Sequence, residues 1–230
     1  AGARTGLNAD SAPRVSVVIP TRNRAWCLPR AVESVLTQTA GDLELVVADN
    51  ASEDDTPRLL AAAAAADPRL RVVRRHTPGE MVANWSLGLA QVRGDLLLLL
   101  MDDDWLQPEF LARRLAALEE TPRALAVTGP HAEGSEDGSE VRLPESEPPA
   151  GLLEGTELVR AALSRSWFLS STLYRMEPLQ RCWPRASEDG LVPDYSLNLL
   201  LALDAQTRGG CVVRLRGADM VVRRHGGQHS

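Results

Sequence analysis

Three consecutive carboxylates, Asp102, Asp103 and Asp104, are the side chains whose type and spacing most directly indicate chemistry. They follow the apolar run 96–101, and like charges this close repel one another unless solvent or a cation offsets the repulsion. Hard divalent ions such as Mg²⁺ or Mn²⁺ favour one or two carboxylates, with phosphate oxygens and water completing the shell. The alternative is an acidic turn before a helix at Pro108, because carboxylates are favoured near helix N-termini. The apolar run in front of the acids favours the metal interpretation.

Two further polar segments follow apolar runs in the first half of the chain. Residues 49–54 carry carboxylates and an amide that can hydrogen-bond a nucleobase or a ribose. In the same segment, Ser52 followed by Asp55 also fits a helix N-cap, and both uses are compatible. Residues 21–24 contain two arginines that could neutralise phosphate, although exposed Arg is common in this chain. Together the three segments offer groups suited to a phosphorylated ligand and a metal ion.

The elements that must position these segments alternate between strands and helices. The pattern predicts strands at 14–20, 43–48, 70–75 and 96–101, and helices at 26–39, 56–66, 81–92 and 108–118. Such alternation indicates βαβ units, and therefore an α/β fold with a mostly parallel central sheet flanked by helices. In sheets of this kind, ligands bind outside the carboxyl ends of the strands. The three polar segments follow three of those ends.

The second half of the chain is less regular. Strands are predicted at 124–128, 168–174, 211–215 and 220–223, and helices at 154–163 and from Pro193 through Asp204. Residues 131–149 are rich in Gly, Ser, Glu and Pro, which predicts a surface loop or a disordered insertion. We expect residues 1–13 to be a flexible lead-in and residues 14–230 to form one domain.

Composition excludes some classes of function. The formal net charge of −6 argues against a nucleic-acid-binding protein, whose surface would be basic. All 25 basic residues are Arg, which we interpret as a base-composition bias. The three cysteines lack metal-ligand spacing and suit a reducing compartment. The longest apolar run is too short to cross a bilayer, and no signal-peptide core is present. We expect a cytoplasmic protein, and peripheral contact with a membrane surface stays open.

Four motifs in this order resemble those of the family 2 glycosyltransferases of GT-A fold. The matching segments are residues 17–23, residues 46–56, Asn84 with residues 94–95, and residues 102–104, the last resembling the D-x-D motif. The resemblance covers residues 15–118. It implies a Rossmann-like nucleotide-sugar-binding half at 14–120, followed by a less regular acceptor-binding half at 121–230 in which 131–149 is a mobile loop.

The resemblance also implies roles for individual residues. Asp49 would contact the nucleotide base, commonly uracil, with Arg74 or Arg75 helping to hold it. Asp102 would contact ribose, and Asp104 would bind Mn²⁺ or Mg²⁺. Many relatives carry another acid where Met101 stands, so the register of the acidic motif could shift by one. The implied nucleotide-binding set is Pro20, Thr21, Arg22, Asp49, Arg75, Asn84, Asp102 and Asp103, and the implied metal ligands are Asp104 and His225.

A catalytic base is expected in the second half. Inverting members of the family use a carboxylate at the start of a late helix, before a Leu-rich stretch, and Asp194 resembles it. Pro193 stands where an acid is frequent, so Glu188 and Asp189 are rival candidates. A helix-start carboxylate without a catalytic role is the alternative for Asp194.

The implied activity is metal-dependent, inverting transfer of a sugar from a nucleotide-diphospho-sugar, commonly a UDP-sugar, to an acceptor hydroxyl. The acceptor could be a glycan, a lipid-linked molecule or a small natural product. A sugar-1-phosphate nucleotidyltransferase is one alternative, but it would need a Gly-rich basic loop after the first strand, and residues 20–24 contain no Gly. A non-catalytic nucleotide-sugar-binding module is the other alternative.

Overall fold

The computed structural model describes residues 12–164, 167–188 and 193–225. In these ranges, the strands are β1 (Val15–Thr21), β2 (Leu43–Asp49), β3 (Leu70–Arg74), β4 (Leu96–Leu99), β5 (Trp105–Leu106), β6 (Ala124–Thr128), β7 (Ala132–Gly134), β8 (Val141–Arg142), β9 (Gly151–Leu153), β10 (Leu173–Arg175), β11 (Cys211–Arg214) and β12 (Met220–Arg223). The helices are α1 (Leu28–Leu36), α2 (Thr56–Ala66), α3 (Met81–Leu89), α4 (Phe110–Glu120), α5 (Gly155–Leu163), α6 (Met176–Ala186) and α7 (Pro193–Arg208), and a 3₁₀ helix spans Leu169–Ser171.

The larger sheet has the strand order β3-β2-β1-β4-β10-β6-β11-β9 among the described residues. Strands β1 to β4 pair in parallel, as the βαβ pattern predicts. Strand β10 runs antiparallel to both of its neighbours, and β9 runs antiparallel to β11. The α/β fold with a helix-flanked sheet is therefore confirmed, and the sheet is mixed because its second half adds antiparallel strands.

The core lies on both faces of this sheet. Every residue of β1, β2 and β4 is buried, which explains why these strands read as continuous apolar runs rather than alternating ones. One apolar cluster packs α1, α2 and α4 against one face. A second cluster packs α3, α5, α6 and α7 against the other face. None of the helices in the described ranges combines the length and the apolar character needed to cross a membrane.

A smaller sheet with the order β5-β12-β7-β8 lies beside the acidic motif. It differs from the expectation that residues 131–149 form only a loop, because β7 pairs with β12 and with β8. Gly134 permits this packing, since a Cβ on it would lie 2.3 Å from the Trp105 ring. The pairing joins segments far apart in sequence, so a local composition pattern did not reveal it.

The sequence prediction was wrong in three other places, and one of them is strand β9, which it did not include. Residues 168–174 were expected to form one strand, but the 3₁₀ helix occupies Leu169–Ser171 and only β10 follows it. Helix α6 was not predicted at all, although its buried positions Met176, Leu179 and Cys182 follow helical spacing. Internal prolines at 178 and 184 obscured that pattern.

Candidate functional site at the carboxyl edge of the sheet

The ends of three parallel strands bring the three polar segments together. Strand register pairs Thr21 of β1 with Asp49 of β2, and Val18 of β1 with Leu99 of β4. A cavity of about 1090 Å³, which we call the edge cavity, opens at this point. Its lining residues are Pro20, Thr21, Arg22, Arg24, Asn50, Gly79, Met81, Asn84, Trp85, Met101, Asp102, Asp103, Asp104, Phe168, Val222, Arg224 and His225.

The acidic motif is buried at the floor of the edge cavity. Burial, together with the charge of Asp103, raises the pKa of Asp102 to about 6, and the Thr21 hydroxyl and Arg24 offset this only in part. The Arg24 Nε lies 3.6 Å from the nearer Asp102 carboxylate oxygen. Burial, followed by the charge of Asp103, raises the pKa of Asp104 well above its usual value of 3.8. The fold therefore holds two carboxylates whose charge its own groups offset incompletely.

Residues from β12 and the segment after it hold the acidic motif in place. The backbone N–H of Arg223 donates to Asp104 Oδ1 at 3.2 Å, and Arg223 Nε donates to the Asp103 carbonyl at 3.0 Å. His225 Nε2 lies 2.9 Å from Asp103 Oδ2. The exposed Trp26 ring meets the His225 ring edge-on, with centroids 5.2 Å apart. The smaller sheet thus fixes the orientation of the motif.

The donor set fits a hard divalent ion. Burial, and after it the charge of Asp103, raises the pKa values of the Asp102 and Asp104 carboxyls, and a bound cation would favour their ionised forms. Within the described ranges, no three His, Cys, Asp or Glu side chains are grouped so that they could hold an ion by themselves. The arrangement therefore suits an ion whose shell is completed by phosphate oxygens and water.

Amide side chains form the opposite wall of the edge cavity. Asn50 Nδ2 donates to the Gly79 carbonyl at 2.8 Å, and the Gly79 N–H donates back to Asn50 Oδ1 at 2.9 Å. Asn84 on α3 donates to the Ala48 carbonyl at 2.8 Å, and its buried Oδ1 has no hydrogen-bond partner. A buried, unsatisfied acceptor is costly, so a ligand donor at this position would stabilise it.

Two residues expected to bind nucleotide do not line the edge cavity. Asp49 is fully buried, accepts the Ser52 N–H at 3.0 Å through Oδ1, and has Oδ2 3.1 Å from Arg74 Nε. Arg75 donates to the Thr77 carbonyl at 3.3 Å and packs over Gly79. Both residues shape the turns beside the cavity. Pro20, Thr21, Arg22, Asn84, Asp102 and Asp103 do line it, as do Asp104 and His225.

Neither Asp194 nor Glu188 is among the residues that line the edge cavity. Asp194 is half-buried in the first turn of α7. Burial raises the pKa of the Tyr174 hydroxyl, and the negative charge of Asp194 raises that pKa further. Glu188 is exposed just after α6, and Asp189 lies outside the described residues.

Several lining residues are absent from the nucleotide-binding and metal sets that the resemblance implies. Asn50 and Arg24 stand in segments that the sequence singled out, so their proximity to strand ends was the available signal. Phe168 gave no such signal, because it reaches the cavity through the position of the 3₁₀ helix that follows it, which long-range contacts fix. The Met101 N–H lies 3.4 Å from Ser170 Oγ, which ties this helix to the end of β4.

Two curated relatives each match about half of the chain. The Rhizobium meliloti succinoglycan biosynthesis protein ExoO is 34% identical over 121 residues, covering 51% of this chain and 33% of that protein. The Campylobacter jejuni GalNAc(5)-diNAcBac-PP-undecaprenol beta-1,3-glucosyltransferase is 34% identical over 107 residues, covering 46% of this chain and 33% of that protein. The chain thus spans about a third of the length of these relatives.

Solved structures share the fold at low sequence identity. Staphylococcus aureus TarS 1-349 in complex with UDP-GlcNAc superposes with a TM-score of 0.69 at 18% identity, covering 94% of this chain and 60% of that one. The Pyrobaculum calidifontis mannosyltransferase PcManGT, in complex with GDP-Man and Mn²⁺, gives 0.62 at 18% identity, covering 93% and 57%. These likenesses establish the GT-A fold. Residues 16–181 match the family model for glycosyl transferase family 2, and the chain therefore belongs to that family.

Proposed function

We propose that this chain transfers a sugar from a nucleotide-diphospho-sugar, in the first instance a UDP-sugar, to an acceptor hydroxyl, with inversion and with a divalent ion. The observation that carries the proposal is a pair of buried carboxylates, Asp102 and Asp104. They lie at the carboxyl edge of the sheet and line the edge cavity. The complexes of TarS with UDP-GlcNAc and of PcManGT with GDP-Man and Mn²⁺ support a donor and a metal of this kind.

Different residues of the edge cavity would bind different parts of the donor. Asp104, with His225 beside it, would hold Mn²⁺ or Mg²⁺, which when bound neutralises the charge that develops on the leaving diphosphate. Arg24 and Arg224 line the same cavity and supply guanidinium groups for the phosphates. Asn50 and Asn84 present amide groups for the base and the ribose. Asp102 and Asp103 complete the ribose side.

Asp194 is the proposed base. It would take the proton of the acceptor hydroxyl as that oxygen attacks the anomeric carbon from the face opposite the diphosphate. The new glycosidic bond forms while the bond from the anomeric carbon to the diphosphate oxygen breaks, and the nucleoside diphosphate leaves. General-base catalysis of this kind contributes about 10²–10⁴-fold to the rate. Glu188 and Asp189 are the rival bases.

The test is to incubate the protein with UDP-sugars, GDP-sugars and TDP-sugars, with Mn²⁺ and a panel of glycan acceptors, and to analyse the products. Free nucleoside diphosphate is the expected product. Pyrophosphate or nucleoside triphosphate would indicate a nucleotidyltransferase, and no product together with tight binding would indicate a binding module. Donor binding is measured separately from the thermal shift, because a ligand that binds only the folded state raises the melting temperature.

A further inference from the structure

A second cavity, of about 450 Å³, lies beside the edge cavity. Phe168 lines both cavities, and the His131 ring packs against it with centroids 4.7 Å apart. Glu133 lines the second cavity and forms an ion pair with Arg224, which lines the edge cavity. The two spaces are therefore neighbours, separated by one aromatic ring and one ion pair.

The second cavity presents basic groups from separate parts of the chain. Arg214, at the end of β11, is only 7% exposed, and Arg142 of β8 is exposed and forms an ion pair with Glu140 at 3.8 Å. Burial lowers the pKa of Arg214 and also that of His131, so the histidine ring is mainly neutral at pH 7 and serves as a hydrogen-bonding group. Of the two lining glutamates, Glu133 is already paired with Arg224. The remaining one, Glu145, is exposed.

We propose that the second cavity binds an anionic group of the acceptor, a carboxylate or a phosphate ester, with Arg214 as the main recognition residue. The acceptor hydroxyl would then lie in the edge cavity, on the other side of Phe168. This inference rests on the proposed function and names the chemical class of its acceptor.

Size and charge both support an acidic acceptor. A volume of 450 Å³ lies in the range of small-molecule sites and accommodates a sugar ring with an acidic substituent. A guanidinium group matches carboxylate and phosphate oxygens in a bidentate geometry. A cation held away from water gains more from an anion than from a neutral hydroxyl. The second cavity therefore favours an acidic sugar or a sugar phosphate over a neutral sugar.

The test uses small probes with EDTA present, so that metal-supported binding in the edge cavity does not contribute. Methyl β-D-glucuronide, glucose 1-phosphate and the neutral methyl β-D-glucoside are titrated and followed by ligand-observed NMR. We expect at least one anionic probe to bind about 10-fold more tightly than the glucoside. Preference for the glucuronide indicates an acidic sugar, and preference for the phosphate indicates a phosphate-linked acceptor. Equal binding of all three probes would overturn the proposal.

Three variants locate the binding. Arg214→Met should weaken the anionic probe about 10-fold or more, and the matched control Arg216→Met, at an exposed position outside the cavity, should not. Arg142→Met changes an exposed side chain and should weaken binding about threefold, so it tests the site even if Arg214→Met fails to fold. If Arg214→Met folds, unchanged affinity of both Arg214→Met and Arg142→Met for the anionic probe overturns the proposal. If Arg214→Met does not fold, unchanged affinity of Arg142→Met is sufficient to overturn it.

The same protein separates this inference from the proposed function. Binding of UDP with Mn²⁺ reports on the edge cavity, and binding of the anionic probe in EDTA reports on the second cavity. If the protein binds the anionic probe but not UDP with Mn²⁺, the donor assignment is wrong and the second cavity is still an anion-binding site. The reverse result would leave a transferase whose acceptor is not acidic.

Discussion

At the scale of single residues, the buried carboxylates of the acidic motif carry the functional argument. Asp104 is 3% exposed and Asp102 is 9% exposed, although ionised carboxylates are rarely buried without compensation. Their raised pKa values mean that their ionised forms are less stable in the folded protein than in water. Such destabilisation is typical of functional sites, where a ligand supplies the missing interactions.

Replacing Asp104 with Asn should separate stability from binding. Because the folded protein disfavours the ionised carboxylate, Asp104→Asn without ligand should melt at the same temperature as the wild type or higher. The thermal shift produced by UDP with Mn²⁺ should fall to the value measured in EDTA. Asp55→Asn, at an exposed position, is the control and should keep the full shift. An unaltered shift in Asp104→Asn would contradict the metal assignment.

Replacing Asp194 with Asn should separate binding from transfer. If Asp194 is the base, the variant should keep the thermal shift with UDP and Mn²⁺, while its rate of transfer falls at least about 100-fold. Glu188→Gln and Asp189→Asn are measured beside it, since these are the rival carboxylates. Normal transfer by Asp194→Asn, with a loss in one of the other variants, would move the base to that residue.

At the scale of elements, Arg114 connects the segments that hold the acidic motif. Its side chain is fully buried in α4, donates to the Ser171 carbonyl at 2.9 Å and donates to Asp219 Oδ2 at 2.9 Å. Ser171 ends the 3₁₀ helix, and Asp219 immediately precedes β12. One guanidinium therefore fixes two of the elements that contact the Asp102–Asp104 segment.

Removing this guanidinium should destabilise the fold and weaken donor binding. Arg114→Met removes the buried partner of the Asp219 carboxylate and leaves the more exposed Arg113 as its cation, so we expect a cost near the lower end of the range of about 3–5 kcal/mol for breaking a buried pair. Urea unfolding measures this loss. The control Arg123→Met breaks an exposed ion pair with Glu154 and should cost about 1 kcal/mol or less. A cost for Arg114→Met no larger than that of the control would show that the buried pair does not anchor these elements.

At the scale of the whole molecule, the end of the sheet opposite the edge cavity is closed by one buried carboxylate. Glu44 of β2 accepts hydrogen bonds from the Ser16 hydroxyl at 2.7 Å and from the Arg93 N–H at 2.7 Å. It also accepts from Arg71 at 2.8 Å. These contacts tie β1, β2, β3 and the segment before β4 together. Binding chemistry and structural anchoring thus lie at opposite ends of the same strands.

Glu44 should make the stability of the molecule depend on pH. Burial raises its pKa, but the hydrogen bonds from Ser16, Arg93 and Arg71 outweigh that effect and leave the pKa below its usual value of 4.5. A carboxyl group whose pKa is lower in the folded than in the unfolded protein stabilises the folded state at pH values above its unfolded pKa. This contribution is lost as the pH falls through the folded pKa. The free energy of unfolding of the wild type should therefore decrease as the pH is lowered below about 4.5.

The variant Glu44→Gln tests this assignment. It should unfold more easily than the wild type at pH 7, by about 2 kcal/mol or more, and the difference should shrink as the pH falls below 4.5. Glu119→Gln, which removes an exposed partner of Arg14, should change little at either pH. A difference between Glu44→Gln and the wild type that stays constant down to pH 3 would assign the acid dependence to other groups.

Elements specified by local sequence patterns were predicted well, whereas elements that depend on contacts between distant segments were not. Strands β1 to β4 and helices α1 to α4 were predicted within about three residues of their bounds, because local patterns of burial and helix propensity specify them. Strand β12 was predicted at its observed bounds, but its pairing into the smaller sheet was not predicted, and neither was the 3₁₀ helix. Both depend on contacts between segments that are far apart in sequence, such as the pairing of Val221 with Ala132 and with Trp105.

The sequence by itself determined the α/β fold, the family resemblance and the edge of the sheet at which polar residues collect. Apolar runs ending in polar turns are local signals, and parallel strands must present those turns together. Only the tertiary structure placed Asn50 rather than Asp49 on the wall of the edge cavity and brought Arg223 to the acidic motif. It alone also set Arg214 beside Phe168 in a second cavity. These placements depend on side-chain burial and on contacts between distant segments, which no local pattern encodes.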